Sequence, residues 1–288
     1  MKKLLLLAIS LLTAIGSYAE NYTLSTPNNT LIIEATKGKA AKFRYYGTTA
    51  SLEEAKALGK AMRYDAFHAF GHHAELPYAA LVKFPDGDNA MDLVVDGVEQ
   101  SKEGHITTLC ITLKDTLHPF RLQLCYAAYD DCDVIKFSTR YINDGKKPVV
   151  LQRYMSASLP VLSKDCSLLS LHGENKNECN EIVEPLGFGT KILSSQEGNR
   201  TAFPTHSSFM LSLEGGMHEN SGNVIAGTLA WIGNFTIEFV NAALPQRPTV
   251  IMAGINPSTQ ERHSNERPVH RNQRGAPLAT TRDKPSQQ

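Results

Sequence analysis

Ile106-Thr107-Thr108-Leu109-Cys110-Ile111-Thr112-Leu113-Lys114 opens a block that continues through residues 120–126, 134–142 and 149–159, with a turn signal between each run and the next. Phe120, Leu122, Leu124 and Tyr126 alternate with Arg121, Gln123 and Cys125. Ile135, Phe137, Thr139 and Tyr141 alternate with Lys136, Ser138 and Arg140. Successive side chains of a strand point to opposite faces, so this is the pattern of a sheet with one apolar and one wet face. Burying each large apolar side chain contributes roughly 1.5 to 3 kcal/mol. A slip of one residue turns the whole row into water, which specifies the register strongly. The links at 115–119, 128–133 and 143–148 are too short for the crossover that parallel neighbours require, and Asp144-Gly145 is a preferred hairpin turn. An antiparallel sheet is expected.

Further strands are read at 21–25, 31–35, 41–46, 81–84, 91–95 and 168–172, and in a run ending at Leu213. Ser51 and Glu54 have the spacing of a capping box, and Leu52, Ala55, Leu58 and Met62 then fall at helical spacing, predicting one short helix up to Arg63. One helix among a dozen strand-like runs places the chain in the all-β class, as a large antiparallel β-sandwich. Residues 20–257 form a stretch of the length that such sandwiches occupy as one domain.

The 288 residues carry 29 basic and 29 acidic side chains, so no field favours nucleic acid or an acidic membrane surface. Met1-Lys2-Lys3, an apolar run over 4–15 and Ser17-Tyr18-Ala19 make the three parts of a secretory signal peptide over 1–19. Cleavage after Ala19 and a periplasmic or secreted chain without membrane attachment are expected. Cys110, Cys125, Cys132, Cys166 and Cys179 are odd in number and lack CxxC spacing. That argues against a disulfide framework and a zinc site, and favours small buried or half-buried thiols. The sequence has no Gly-x-Ser-x-Gly elbow, phosphate loop or His-Glu-x-x-His, and Gly187-Phe188-Gly189 lacks the third glycine of a dinucleotide loop. No cofactor is expected.

Tyr64-Asp65-Ala66-Phe67-His68-Ala69-Phe70-Gly71-His72-His73-Ala74-Glu75 is the densest collection of polar and aromatic groups in the chain. Three readings stand. His68 and His72, four apart, with Glu75 beyond, share one face of a helical turn and reach for a metal. Alternatively the rings pack and hydrogen-bond within a loop. In the third reading His72, His73 or Glu75 contacts a substrate, since functional groups sit on loops of rigid scaffolds.

Several phrases resemble, in order and spacing, the amino-terminal domain of glycoside hydrolase family 36, the bacterial α-galactosidases. They are Phe43-Arg44-Tyr45-Tyr46-Gly47, Leu113-Lys114-Asp115 through Pro119-Phe120, Tyr126-Ala127-Ala128-Tyr129, Lys147-Pro148-Val149-Val150-Leu151 and Tyr154-Met155-Ser156-Ala157-Ser158-Leu159-Pro160. The most specific are Gly227-Thr228-Leu229-Ala230-Trp231-Ile232-Gly233-Asn234-Phe235 and Ala253-Gly254-Ile255-Asn256-Pro257. Their glycines suit bulges or close backbone approach, and Trp231 is read as a core or inter-sheet residue. The resemblance implies a β-supersandwich whose 72–75 loop reaches over a sugar site of a neighbouring subunit. His172-Gly173 and Glu178 keep a family pattern without its tryptophan.

The resemblance also implies retaining hydrolysis of terminal α-galactosides such as melibiose or raffinose by two carboxylates flanking the bond. In the family both are aspartates on a following barrel, in motifs such as Lys-Trp-Asp, and that phrase is not in this sequence. The chain alone is therefore expected to be inactive, a truncated α-galactosidase whose domain supports the barrel and oligomerisation and takes part in α-galactoside binding. The alternative is a free-standing module that binds carbohydrate or another protein without turnover. Residues 258–288 contain no aromatic residue, and arginine outnumbers lysine five to one, against sixteen lysines to seven arginines before them. A disordered tail, introduced by a frameshift or truncation, is expected there.

Overall fold

The computed structural model describes residues 20–49, 53–54, 64–71, 77–198, 204–244 and 247–255, together with backbone strands at 268–269, 273–274 and 278–283. The signal segment lies outside the described residues. So does most of the expected helix, of which only Glu53 and Glu54 are described, in helical geometry.

The chain is all-β and antiparallel. β1 (Glu20–Ser25), β2 (Asn29–Ala35), β3 (Lys42–Thr48) and β4 (Tyr64–Asp65) form a four-stranded sheet in that order. After β5 (Ala80–Lys83) come β6 (Leu93–Glu103), β7 (Ile106–Asp115), β8 (Phe120–Tyr129) and β9 (Val134–Asn143), each paired with the one before from β7 onward. Burial alternates along β8 and β9 as the sequence pattern requires, with Leu122, Leu124 and Tyr126 buried beside Ile135, Phe137 and Tyr141.

β10 (Val149–Val161) departs from the expected hairpin, because it belongs to a different sheet. Gly145 is not among the residues with positive φ, so Asp144-Gly145 does not form the expected hairpin turn. Instead Gly145 N donates to Asn143 Oδ1 at 2.9 Å and Asn143 Nδ2 donates to Lys147 O at 2.9 Å, turning the chain out of one sheet and into the next. Facing β9 across that gap, β10 receives the hydroxyls of Thr139 (to Ser156 O, 2.9 Å) and Tyr141 (to Met155 O, 2.8 Å). Burial, the main cause, raises the Tyr141 phenol well above its ordinary range, so it remains a donor.

The chain continues through β11 (Ser167–Glu174), β12 (Asn177–Pro185), β13 (Gly189–Ser195), β14 (Thr205–Ser212), β15 (Val224–Leu229), β16 (Phe235–Asn241) and β17 (Thr249–Ile255). The short β18 (Pro268–Val269) and β19 (Gln273–Arg274) precede β20 (Leu278–Asp283). A six-stranded sheet runs β13-β16-β17-β10-β18, with β5 also on β10. A ten-stranded sheet runs β12-β11-β14-β15-β20-β9-β8-β7-β6, with β19 also on β9.

One buried apolar cluster joins the three sheets, from Leu24 to Ala253. Edge-to-face pairs mark the joints: Phe209 on Phe239 at 4.9 Å between β14 and β16, and Tyr46 on Phe137 at 6.3 Å between β3 and β9. Gly227 and Gly254 explain their place in the sequence pattern. A Cβ on the first falls 2.5 Å from the Phe209 ring, and on the second 2.8 Å from Met155 Sδ.

Two expectations are corrected. Cys110 and Cys125 are bonded as a disulfide between directly paired positions of β7 and β8, with Cα atoms 4.2 Å apart, the spacing of a non-hydrogen-bonded pair. Counting cysteines could not find this, because one pair coexists with three free thiols, Cys132, Cys166 and Cys179. The tail also contributes strands where disorder was expected, β20 pairing with β15 on one side and β9 on the other. Residues 278–283 are held there by backbone pairing to two strand edges, a term that composition does not register.

Candidate functional site

The 72–75 loop, which carried the substrate and metal readings, falls outside the described residues, as do His72, His73 and Glu75. Its two anchors are described.

On the incoming side, residues 66–71 are held against 79–80. Ala79 N donates to His68 O at 2.7 Å, Phe70 N donates to Ala80 O at 3.0 Å, and Met91 N donates to Phe70 O at 3.0 Å. His68 is buried, with Nδ1 3.7 Å from Asp65 Oδ2, and Asp65 is itself paired with Lys42. For His68 this is the local-packing reading. Gly71 turns the chain into the loop at φ +95°, where an added Cβ meets Ala90 Cβ at 2.8 Å, so both conformation and space demand glycine.

On the outgoing side stands Tyr78, edge-on to Phe70 at 5.4 Å. Arg153 of β10 holds it twice: Nε donates to Tyr78 O at 2.6 Å, and the guanidinium lies 5.6 Å from the ring centre. The other two guanidinium nitrogens donate to the two carboxylate oxygens of Glu238 in β16, each at 2.8 Å. This fork is mostly enclosed, with the side chains 23% and 14% exposed. A cleft of about 530 Å³ opens beside it, lined by Tyr78, Leu81, Gln152, Ile192, Glu238 and Ile255. It offers apolar walls and a fixed polar fork at the foot of the loop, an arrangement suited to binding.

Sequence reasoning missed the fork. Arg153 and Glu238 are 85 residues apart, and each alone reads as a solvated residue on a strand. Trp231 was expected in the core or between sheets. It is 40% exposed and folds over Gly233, whose ideal Cβ position is 2.5 Å from the indole Nε1. The glycine allows the indole to lie flat on the turn.

Residues 42–264 match the family described as the glycosyl hydrolase family 36 N-terminal domain. The chain belongs to that family. Among relatives of this family 36 domain, α-galactosidase Mel36A of Lactobacillus acidophilus is 29% identical over 175 residues, 56% of this chain and 24% of the relative. α-Galactosidase 2 of Pediococcus pentosaceus is 31% identical over 163 residues, 56% of this chain and 22% of the relative. The chain thus matches less than a quarter of the length of either. In fold it is similar to the α-galactosidase AgaA of Geobacillus stearothermophilus, with TM-score 0.80 and 17% identity over 93% of this chain and 41% of that one. The α-galactosidase of Lactobacillus brevis gives TM-score 0.79 and 18% identity, over 93% and 40%.

Proposed function

We propose that this chain serves as the N-terminal domain of an exported α-galactosidase of the family 36 type. The match over residues 42–264 carries the reading. In it, the ten-stranded and six-stranded sheets are the faces of a layered sandwich that supports a catalytic barrel and contributes to oligomerisation. The loop bearing His72, His73 and Glu75 closes one wall of an α-galactoside site, and the Arg153–Glu238 fork fixes Tyr78, where the chain leaves that loop. Removal of residues 1–19 delivers the domain to the periplasm or beyond.

The chemistry of glycoside hydrolysis places both working carboxylates at the scissile bond. Glu238, the one acid lining the cleft, does not meet that need, because it is committed to Arg153 through both oxygens. The 288 residues alone are therefore expected to leave a chromogenic α-galactoside intact, and to restore turnover when combined with a family 36 barrel expressed separately. Hydrolysis by the chain alone overturns the reading. Calorimetric titration of the chain with raffinose separates it from the alternative: tight binding by the isolated chain identifies a free-standing carbohydrate module.

A further inference from the structure

The wet face of β7, β8 and β9 is a groove. Its volume is about 520 Å³, and its wall residues include Thr108, Gln123, Tyr129, Lys136, Ser138 and Arg140, with the Cys110–Cys125 disulfide on its floor. Side chains on an open, flat sheet face stand out in water. Here Gln123, Lys136, Ser138 and Arg140 are each half-buried, and Ala127, on the same face, is only 8% exposed. The face is therefore concave.

Its charge is unbalanced. Lys136 lies over the Tyr129 ring at 5.7 Å and forms no ion pair among the described residues, and neither does Arg140. Arg140 is in register with Gln123 of β8. Half-buried cations without a counter-charge among the described residues are costly. Glu103, on the rim, is the one acid among the wall residues. Lys136 and Arg140 are four residues apart along β9, roughly 13 Å at the rise of a strand. A point anion meets one of them, whereas an extended polyanion meets both.

From this juxtaposition we infer that the groove binds an acidic oligosaccharide, a short glycan carrying carboxylates or sulfates. Lys136 and Arg140 take its charges, and Gln123, Ser138 and Thr108 take its hydroxyls. An acidic peptide fits less well. Peptides dock on sheets chiefly by extending an open edge, and β7, β8 and β9 are paired with one another along their lengths, leaving a face and not an edge.

Titration calorimetry of the chain with tetragalacturonate, a sulfated maltotetraose, neutral maltotetraose and pentaglutamate tests this. Binding of an acidic tetrasaccharide is expected, with the carboxylate and sulfate arms showing which is preferred. No heat is expected from the neutral sugar, and affinity should fall as salt rises from roughly 50 to 500 mM. Lys136→Gln and Arg140→Gln should each weaken binding at least tenfold with an unchanged circular dichroism spectrum, and Lys191→Gln, on β13, should not. If a variant misfolds, protection of Lys136 from acetylation by tetragalacturonate in the unaltered chain decides the question. The inference fails if no acidic glycan binds, if neutral maltotetraose or pentaglutamate binds as tightly, or if Lys136 stays unprotected. Raffinose binding and α-galactoside turnover are separate readouts, so failure here leaves the family 36 reading standing.

Discussion

Asp133 sits at φ +56° in the turn between β8 and β9, a conformation that aspartate tolerates better than most residues. Its carboxylate accepts from the Thr26 hydroxyl and from Asn28, at 3.2 Å from the backbone N and 2.9 Å from Nδ2, tying the β1–β2 turn to the ten-stranded sheet. Partial burial pushes this carboxyl up, but the hydrogen bonds from Thr26 and Asn28 outweigh it and hold the group below its ordinary value of 3.8. A depressed carboxylate stabilises the fold fully above its unfolded value, and that contribution is lost as pH falls through the folded one. Unfolding free energy should therefore decline below about pH 4, with Asp133→Asn removing part of that slope in urea titrations at several pH values. Asp133→Ala should cost about 1 kcal/mol at neutral pH, since the charged hydrogen bonds to Thr26 and Asn28 are lost while the exposed Asn28 turns to water. At Gly227 the limit is space. Gly227→Ala drives a methyl into the Phe209 ring and should cost about 1–3 kcal/mol, read as a lower urea midpoint at unchanged slope.

Among the elements, the β7–β8 hairpin carries the disulfide. Cys110 and Cys125 close a segment with sequence separation 15, for which the cross-link contributes up to about 3 kcal/mol by restricting the unfolded chain. The double variant Cys110→Ser, Cys125→Ser should lower stability by no more than that and leave the far-UV spectrum unchanged. Thiol mapping by mass spectrometry should find Cys132 and Cys179 alkylated in the native chain, because both are exposed. Cys166 is 2% exposed, and burial pushes its thiol up, so it should react only on unfolding. Labelling of Cys110 without a reductant would show that the pair is open. The alternation of Phe120, Leu122, Leu124 and Tyr126 made this hairpin legible in the sequence, because burial on one face leaves a period of two. The disulfide was not legible, because it depends on which residues of two strands stand opposite.

For the whole molecule, continuity of the ten-stranded sheet depends on the last strand of the chain. β20 lies between β15 and β9, with six register pairs to the first and three to the second. Deleting residues 277–288 should expose both edges, so that light scattering rises with protein concentration and the thermal midpoint falls. Unchanged scattering and an unchanged thermal midpoint would show that β20 contributes nothing to that continuity. The sequence by itself determined the all-β class, the antiparallel hairpins from β7 to β9, the need for close backbone approach at its glycines, and the family 36 resemblance. Each of these is written in local periodicity or in a residue type that a position requires. Only the tertiary structure decided that β10 leaves the sheet of β9, that Arg153 meets Glu238 beside Tyr78, that Trp231 lies on the surface, and that Lys136 and Arg140 line a concave face without a counter-charge among the described residues. Those outcomes depend on which strand edges and faces meet across many residues of chain, and the spacing of residues along one strand carries no record of its distant neighbours.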